Sequence, residues 1–80
     1  MIEIPMFDYS KLRGRIVEKF GAQGAFSTAL GVSEGTLSSR MMNKSSFTGD
    51  EIARSCILLG LSFQEIPDYF FAPKVEKIPT

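Results

Sequence analysis

The side chains best placed to do chemistry lie on one short amphipathic segment, where a predicted helix follows Ser33 and turns Leu37 inward. At about 100° per residue, four small or polar residues and one methionine share the opposite, solvent-facing side of this helix. They are Glu34, Gly35, Ser38, Ser39 and Met42. Hydroxyls and a carboxylate exchange hydrogen bonds with base edges, and an apolar side chain packs on a thymine methyl. The stripe therefore predicts base readout in a DNA groove by a helix over 34–42.

Another short helix, the first of the pair, and a tight turn precede the stripe. Gly31 ends this first helix, because a residue without a Cβ accepts the left-handed conformation, and Ser33 can cap the next one. Ser27 is small enough to let another helix backbone approach closely. The buried face of the first helix is predicted to consist of Ala25, Phe26, Ala29 and Leu30. Two helices joined in this way place the second one in the major groove.

Phosphate contacts are expected around the same two helices, where they would set position rather than read sequence. The candidates are Gln23, Ser33, Thr36, Lys44, Ser45 and Ser46. The chain has nine basic and nine acidic residues, yet residues 10–44 hold six basic residues against two acidic ones. Positive charge is therefore concentrated where the groove-binding unit lies. The stripe has no Arg or Asn for strong bidentate base contacts, so low affinity per half-site is expected.

These residues resemble the Cro and repressor-type helix-turn-helix regulators of bacteria and their phages. Gln23 opens the first helix, Gly31-Val32-Ser33 forms the turn, and Thr36-Leu37-Ser38 lies in the second helix. The wider frame, from MFDYSKLRGRIVEKFG to GDEIARSCILLGLSFQEIPDYFF, is similar to small Cro-like phage proteins over roughly residues 6–71. The resemblance implies a bundle of four or five helices whose third helix is the recognition helix.

Two residues depart from the pattern of that family. Arg40 lies where an apolar side chain usually points inward, and its guanidinium could extend outward past an apolar stem. Gly35 occupies a reading position where a long polar or basic residue is common. Because glycine has no side chain to contact a base, this departure bears on sequence readout more than on the fold.

The predicted fold is all-α: a compact, lambda-repressor-like bundle of four to five short helices. Tyr9 to Phe20 has helical spacing, with Asp8 or Ser10 as the cap and Asn43 as a left-handed cap after the recognition helix. Two capping boxes, Thr48 with Glu51 and Ser62 with Glu65, open later helices. The second of these helices is expected to turn Phe63, Ile66 and Phe70 inward, and Pro67 kinks it unless it lies in a first turn.

Both ends of the chain alternate apolar and polar residues, as strands do. Ile2-Glu3-Ile4 and Lys74-Val75-Glu76-Lys77-Ile78 are too short to be stable alone, so they must pair with each other or with a second subunit. We favour a homodimer over a monomer with a two-stranded ribbon. The expected partner contacts are Phe70, Phe71, Val75 and Ile78. The predicted divisions are an arm or strand over 1–7, the DNA-binding domain over 8–71, and a tail or strand over 72–80.

Composition argues against other classes of function. The chain has no histidine and one cysteine, Cys56, on an apolar helix face, so catalytic residues, a metal site, a cofactor and a small-molecule ligand are not predicted. Asp50, Glu51 and Glu65 fall in predicted first turns, where carboxylates stabilise helices. No apolar run approaches the roughly 18 residues of a membrane helix, and the amino terminus is not a signal peptide. We therefore expect a cytoplasmic protein that is nucleoid-associated when bound.

The leading hypothesis is a sequence-specific transcriptional regulator, a Cro-like repressor that binds double-stranded DNA as a homodimer. The alternative is a protein-interaction module that keeps the helix-turn-helix frame and docks another regulator through its aromatic carboxyl end. Zero net charge, Gly35 and the adjacent Phe70 and Phe71 favour the alternative. DNA binding at varied salt separates the two, because neutralising about four phosphates gives a slope near −3 to −4 in log affinity against log salt.

Overall fold

Five α-helices and one 3₁₀ helix make up the fold. The computed structural model describes residues 6–74, and the structural statements below refer to those residues. The elements are α1 (Ser10–Phe20), α2 (Gln23–Leu30), α3 (Glu34–Met41), α4 (Gly49–Leu59), a 3₁₀ helix (Phe63–Glu65) and α5 (Ile66–Phe70). The predicted all-α class is therefore confirmed. Within the described part of the chain, no helix has the length and apolar character needed to cross a membrane.

The ends of the helices follow the local signals in the sequence. Gly31 ends α2 in the left-handed region at φ 86°, and the Ser33 hydroxyl accepts a hydrogen bond from the Thr36 amide at 3.0 Å to begin α3. Asn43 follows α3 with φ 62°, as a left-handed cap does. Both predicted capping boxes are present at the starts of α4 and the 3₁₀ helix. Each of these predictions is confirmed.

The core is a single apolar cluster to which every α-helix contributes. Its fully buried large side chains are Leu12, Ile16, Phe26, Leu30, Leu37, Leu59 and Phe70. α2 contacts α1, α3 and α4, and Ser27 lies at 2% exposure where the helices approach. Cys56 is also buried, as predicted, and burial raises the pKa of its thiol. The α2–α3 unit therefore packs on α1 and α4 mainly through α2.

Two predictions about buried faces are wrong. Ala25 and Ala29 are exposed, because α2 turns Phe26, Ser27 and Leu30 inward instead. Phe63 is 80% exposed, although it was expected to point inward with Ile66 and Phe70. Phe63 belongs to the 3₁₀ helix and Ile66 begins α5, so the spacing of one continuous α-helix does not apply across this junction. Pro67 lies in the first turn of α5 and does not break it.

The two ends of the described chain meet as an antiparallel pair. Phe7 and Pro73 form an isolated β-bridge, and the Asp8 amide donates to the Ala72 carbonyl at 2.8 Å. The Asn43 side chain holds the same segment, donating to the carbonyl of Phe7 and accepting from its amide, both at 2.9 Å. The predicted strand over 2–4 and the predicted strand residues Val75 to Ile78 lie outside the described residues. The domain boundaries remain predictions.

Candidate functional site

The outer face of α3 is open to solvent in the described part of the chain. Glu34, Gly35 and Met42 are exposed, and Ser38 and Ser39 are partly exposed. The Ser38 hydroxyl lies 3.6 Å from the Met42 sulfur, so these two side chains lie together at the carboxyl end of the helix. The structure thus brings together the five residues predicted to read bases. Their exposed face offers few strong hydrogen-bonding groups.

Glu34 is directed towards the start of α2 rather than away from the protein. A Cβ added at Gly24 would overlap the Glu34 Oε1, so the carboxylate lies against the first turn of α2. A cleft of about 210 Å³ at this junction is lined by Gln23, Gly24, Glu34, Leu37 and Ser38. The amides at a helix start favour a negative charge, and here the protein supplies its own. A phosphate arriving at Gln23 would be repelled by that carboxylate.

Arg40 points into the protein, where it joins α3 to α4. Its Nε lies 2.9 Å from Glu51 Oε1 and its Nη2 lies 3.1 Å from Oε2, while Nη1 donates to the Ser45 hydroxyl at 2.8 Å. The side chains of Arg40 and Glu51 are 19% and 8% exposed. Hydrogen bonds from Arg40 hold the pKa of the Glu51 carboxyl below its ordinary value. Arg40 therefore does not extend outward in the way that its long stem would allow, because the buried Glu51 holds the guanidinium.

The other predicted phosphate ligands are divided between internal bonds and the surface. Ser33 caps α3, and its hydroxyl also lies 2.9 Å from the Thr36 hydroxyl. Ser45 accepts a hydrogen bond from Arg40, whereas Lys44 and Ser46 are exposed. Three of the hydroxyls chosen from the sequence for phosphate thus have partners within the protein.

The aromatic carboxyl end mostly closes the domain. Phe70 is 1% exposed and packs edge-on against Phe47 at 5.2 Å between ring centroids, so its predicted contact with a partner does not fit its position in the core. Phe71 is 48% exposed and packs against Phe7 at 5.5 Å. Of the four predicted partner contacts, Phe71 is the one that the structure places at the surface. Val75 and Ile78 lie outside the described residues.

An apolar surface on α4 was missed by the sequence analysis. Ile57 is 81% exposed and Phe63 is 80% exposed. Grooves lie on both sides of Ile57: one of about 420 Å³ with Phe63 in its wall, and one of about 130 Å³ beside Leu58. We call this region the Ile57 surface; it comprises Ala29, Ala53, Ile57, Leu58, Leu61 and Phe63. The available signal was the surplus of apolar residues in α4 beyond the inward positions Ile52, Cys56 and Leu59.

A search of solved structures found a close relative of this fold. The chain is similar to the modulator of repression (MOR) of the temperate bacteriophage TP901-1 from Lactococcus lactis, known from a solution structure. The two sequences are 44% identical, the TM-score is 0.74, and the match covers 88% of this chain and 95% of that one. No curated protein matches the chain.

This similarity corrects the leading hypothesis from the sequence. The matched protein is named for modulating repression, not for repressing, so the prediction of a Cro-like repressor acting directly on double-stranded DNA is wrong. The predicted partners were operator DNA and a second copy of the chain. The similarity to a modulator of repression corrects this prediction as well. The alternative, a module that docks another regulator, agrees better with the match, and the expected likeness to small phage regulatory proteins is confirmed.

Family membership rests on a match over almost the whole described chain. The model of a family described as a protein of unknown function, DUF739, matches residues 5–73. That range contains all five α-helices and the 3₁₀ helix. This chain is a member of the DUF739 family.

Proposed function

We propose that this chain is a modulator of repression: a non-enzymatic, cytoplasmic protein-interaction module that docks on a DNA-binding repressor and changes its affinity for the operator. The observation that carries the proposal is the similarity to the TP901-1 modulator of repression, at 44% identity over nearly the full length of both chains. In this proposal the α2–α3 unit is a Cro-type helix-turn-helix frame that serves as a scaffold.

The charges on α3 support a role other than binding DNA. Nucleic-acid affinity comes largely from cationic side chains that neutralise phosphates. Here Arg40 is held by Glu51, and Glu34 places a carboxylate where a phosphate would meet the start of α2. The chain as a whole has a formal net charge of zero. Arg40 is the cationic residue within 34–42, so its withdrawal leaves the outer face of α3 with little attraction for DNA.

The aromatic carboxyl end, suggested by the sequence as the docking site, has limited free surface. Phe70 is in the core, and Phe71 is partly covered by Phe7. A cavity of about 100 Å³ lies there among Phe7, Phe47, Asn43 and Phe71. Phe71 remains a candidate contact, but this region holds the two ends of the described chain together and offers a partner only part of one ring.

The proposal is tested with the repressor encoded in the same genome and a fluorescently labelled operator. Fluorescence anisotropy gives the Kd of the repressor for the operator with and without a saturating amount of this protein. We expect the Kd to change by at least about tenfold, which corresponds to about 1.4 kcal/mol.

The control in this experiment is the protein with operator alone at about 50 mM salt, where binding driven by phosphates is strongest. We expect no change in anisotropy. An unchanged repressor Kd would contradict the proposal. So would direct binding to the operator with a log–log salt slope near −3 to −4, which is the behaviour of a protein that neutralises about four phosphates.

A further inference from the structure

We propose that the Ile57 surface is the docking site for the repressor, and that its occupant is an amphipathic helix of that repressor, bound by its apolar face. This inference rests on the proposed function and names the part of the molecule that performs it. It differs from the sequence-based expectation, which placed docking at the aromatic carboxyl end.

The exposure of this surface is unusual for the molecule. Ile57 and Phe63 are 81% and 80% exposed, whereas the other exposed large apolar residues, including Val17 and Met42, range from 48% to 56%. Ile57 and Phe63 also line the same groove, so their apolar areas adjoin. A contiguous apolar patch on a small domain marks an interaction site more often than isolated apolar residues do.

The shape of the surface favours a helix as the occupant. Ile57 is a ridge with a groove on each side, and the small Ala53 and Ala29 contribute to the two groove linings. Side chains three and four residues apart on a partner helix form rows that fit on both sides of such a ridge. The larger groove has a volume of about 420 Å³ and a mostly apolar lining, which suits apolar side chains from that helix.

The charges around the surface favour an uncharged, apolar partner face. Arg54 is the charged residue in the described groove linings, and it is already engaged. Its Nη2 lies 2.7 Å from the Asp50 carboxylate, and its Nη1 donates to the Leu30 carbonyl. The rim therefore has little to attract a phosphate backbone or an anionic lipid. A second copy of this chain is the competing occupant, and the sedimentation experiment below tests it.

The test compares Ile57→Lys with Val17→Lys in the repressor–operator assay described above. Both changes place a lysine at an exposed apolar position of a helix, but Val17 lies on α1, outside both grooves. We expect Val17→Lys to act like the unchanged protein. For Ile57→Lys, we expect the concentration that gives half of the effect to rise by at least about tenfold, the loss typical of a central interface residue.

A second variant tests whether the loss in Ile57→Lys comes from the groove or only from a local change in α4. Phe63→Ser changes the other side of the same groove from a different element, and we expect a similar loss. Far-ultraviolet circular dichroism confirms that each variant folds. If Ile57→Lys were unfolded, the result for a folded Phe63→Ser would decide the proposal.

The possible outcomes separate this inference from the function on which it rests. If the unchanged protein has no effect on the repressor, both proposals fail. If it and all variants act equally, the proposed function stands and the Ile57 surface is not the docking site. Sedimentation velocity of the protein alone tests whether a second copy occupies the surface. A dimer that Ile57→Lys converts to a monomer would overturn the repressor helix as the occupant.

Discussion

The outer faces of α3 and α4 are used in opposite ways. On α3, the exposed residues are small or polar apart from Met42 at its carboxyl end, and the two charged side chains, Glu34 and Arg40, turn towards neighbouring parts of the protein. On α4, Ile57 points into solvent and forms an apolar surface with Phe63. The arrangement of α2, α3 and α4 thus determines where the helices lie, but it does not determine which of their faces meets a partner.

An ion pair between the two helices, Arg40 with Glu51, withdraws the α3 arginine from the outer face. Arg40 on α3 donates two hydrogen bonds to the Glu51 carboxylate on α4, and Glu51 Oε1 also accepts from the Thr48 amide at 3.0 Å. One carboxylate therefore caps α4 and holds the α3 guanidinium inside. An arginine in that position contributes to the fold and is withdrawn from the outer face of α3.

Removing that arginine is expected to have the largest effect on the link between α3 and α4. Arg40→Met keeps much of the side-chain volume but leaves Glu51, which is 6% exposed, without its cation. Breaking one side of a buried pair is strongly destabilising, and we expect the free energy of unfolding to fall by about 2 to 3 kcal/mol because Arg40 is partly solvated. Urea unfolding at pH 7 measures this loss. An unchanged midpoint would mean that Arg40 is free for a surface role, and the contrast between α3 and α4 would fail.

A smaller loss of unfolding free energy is expected at acidic pH, where Glu51 becomes protonated. The pKa of Glu51 is lowered from 4.5, chiefly by hydrogen bonds from Arg40. A carboxyl whose pKa is lower in the folded state stabilises the protein above its ordinary pKa, and this stability is lost as the pH falls through the folded value. We therefore expect the pair to stabilise the protein fully at pH 7 and progressively less below about pH 4.5.

Glu51→Gln provides the matched control for the acid titration. Glutamine can still close the capping box with Thr48, but it carries no charge for Arg40. Unfolding free energies measured from pH 7 to pH 3 should differ most at neutral pH and converge as the pH falls. Parallel curves for the two proteins would show that the Arg40–Glu51 charge interaction does not contribute. Asp8 and Glu65, whose pKa values are also lowered, are present in both proteins and cancel in the comparison.

Local features of this fold were predictable because their causes are local. The caps at Ser33 and Thr48 and the left-handed residues Gly31 and Asn43 each depend on a few neighbouring residues. The Arg40–Glu51 pair could not be read in the same way, because it depends on how α3 and α4 approach in space. The sequence did mark Arg40 as a departure from an apolar pattern. A cation at an inward position calls for a buried acid, and this is the signal that could have found Glu51.

The candidate site was harder to predict than the fold. Helical spacing identified the exposed face of α3, and that face is open as expected. Spacing alone could not show that Glu34 turns towards Gly24, since this depends on the angle between α2 and α3. The sequence also could not show that Phe63 faces solvent beside Ile57, because the change from a 3₁₀ helix to α5 sets its direction. A docking surface made from two elements is visible only in three dimensions.

Substitutions on the Ile57 surface are expected to have the smallest effect on stability. Ile57→Lys and Phe63→Ser should each change the free energy of unfolding by no more than about 0.5 kcal/mol, because both side chains already lie in water. Leu59→Ala in the same helix removes a fully buried side chain and should cost about 2 to 5 kcal/mol. Urea unfolding of the three variants checks this order. If Ile57→Lys cost as much as Leu59→Ala, Ile57 would be serving the fold. A change that leaves the fold intact and abolishes modulation would instead show that α4 keeps an apolar face exposed for a partner.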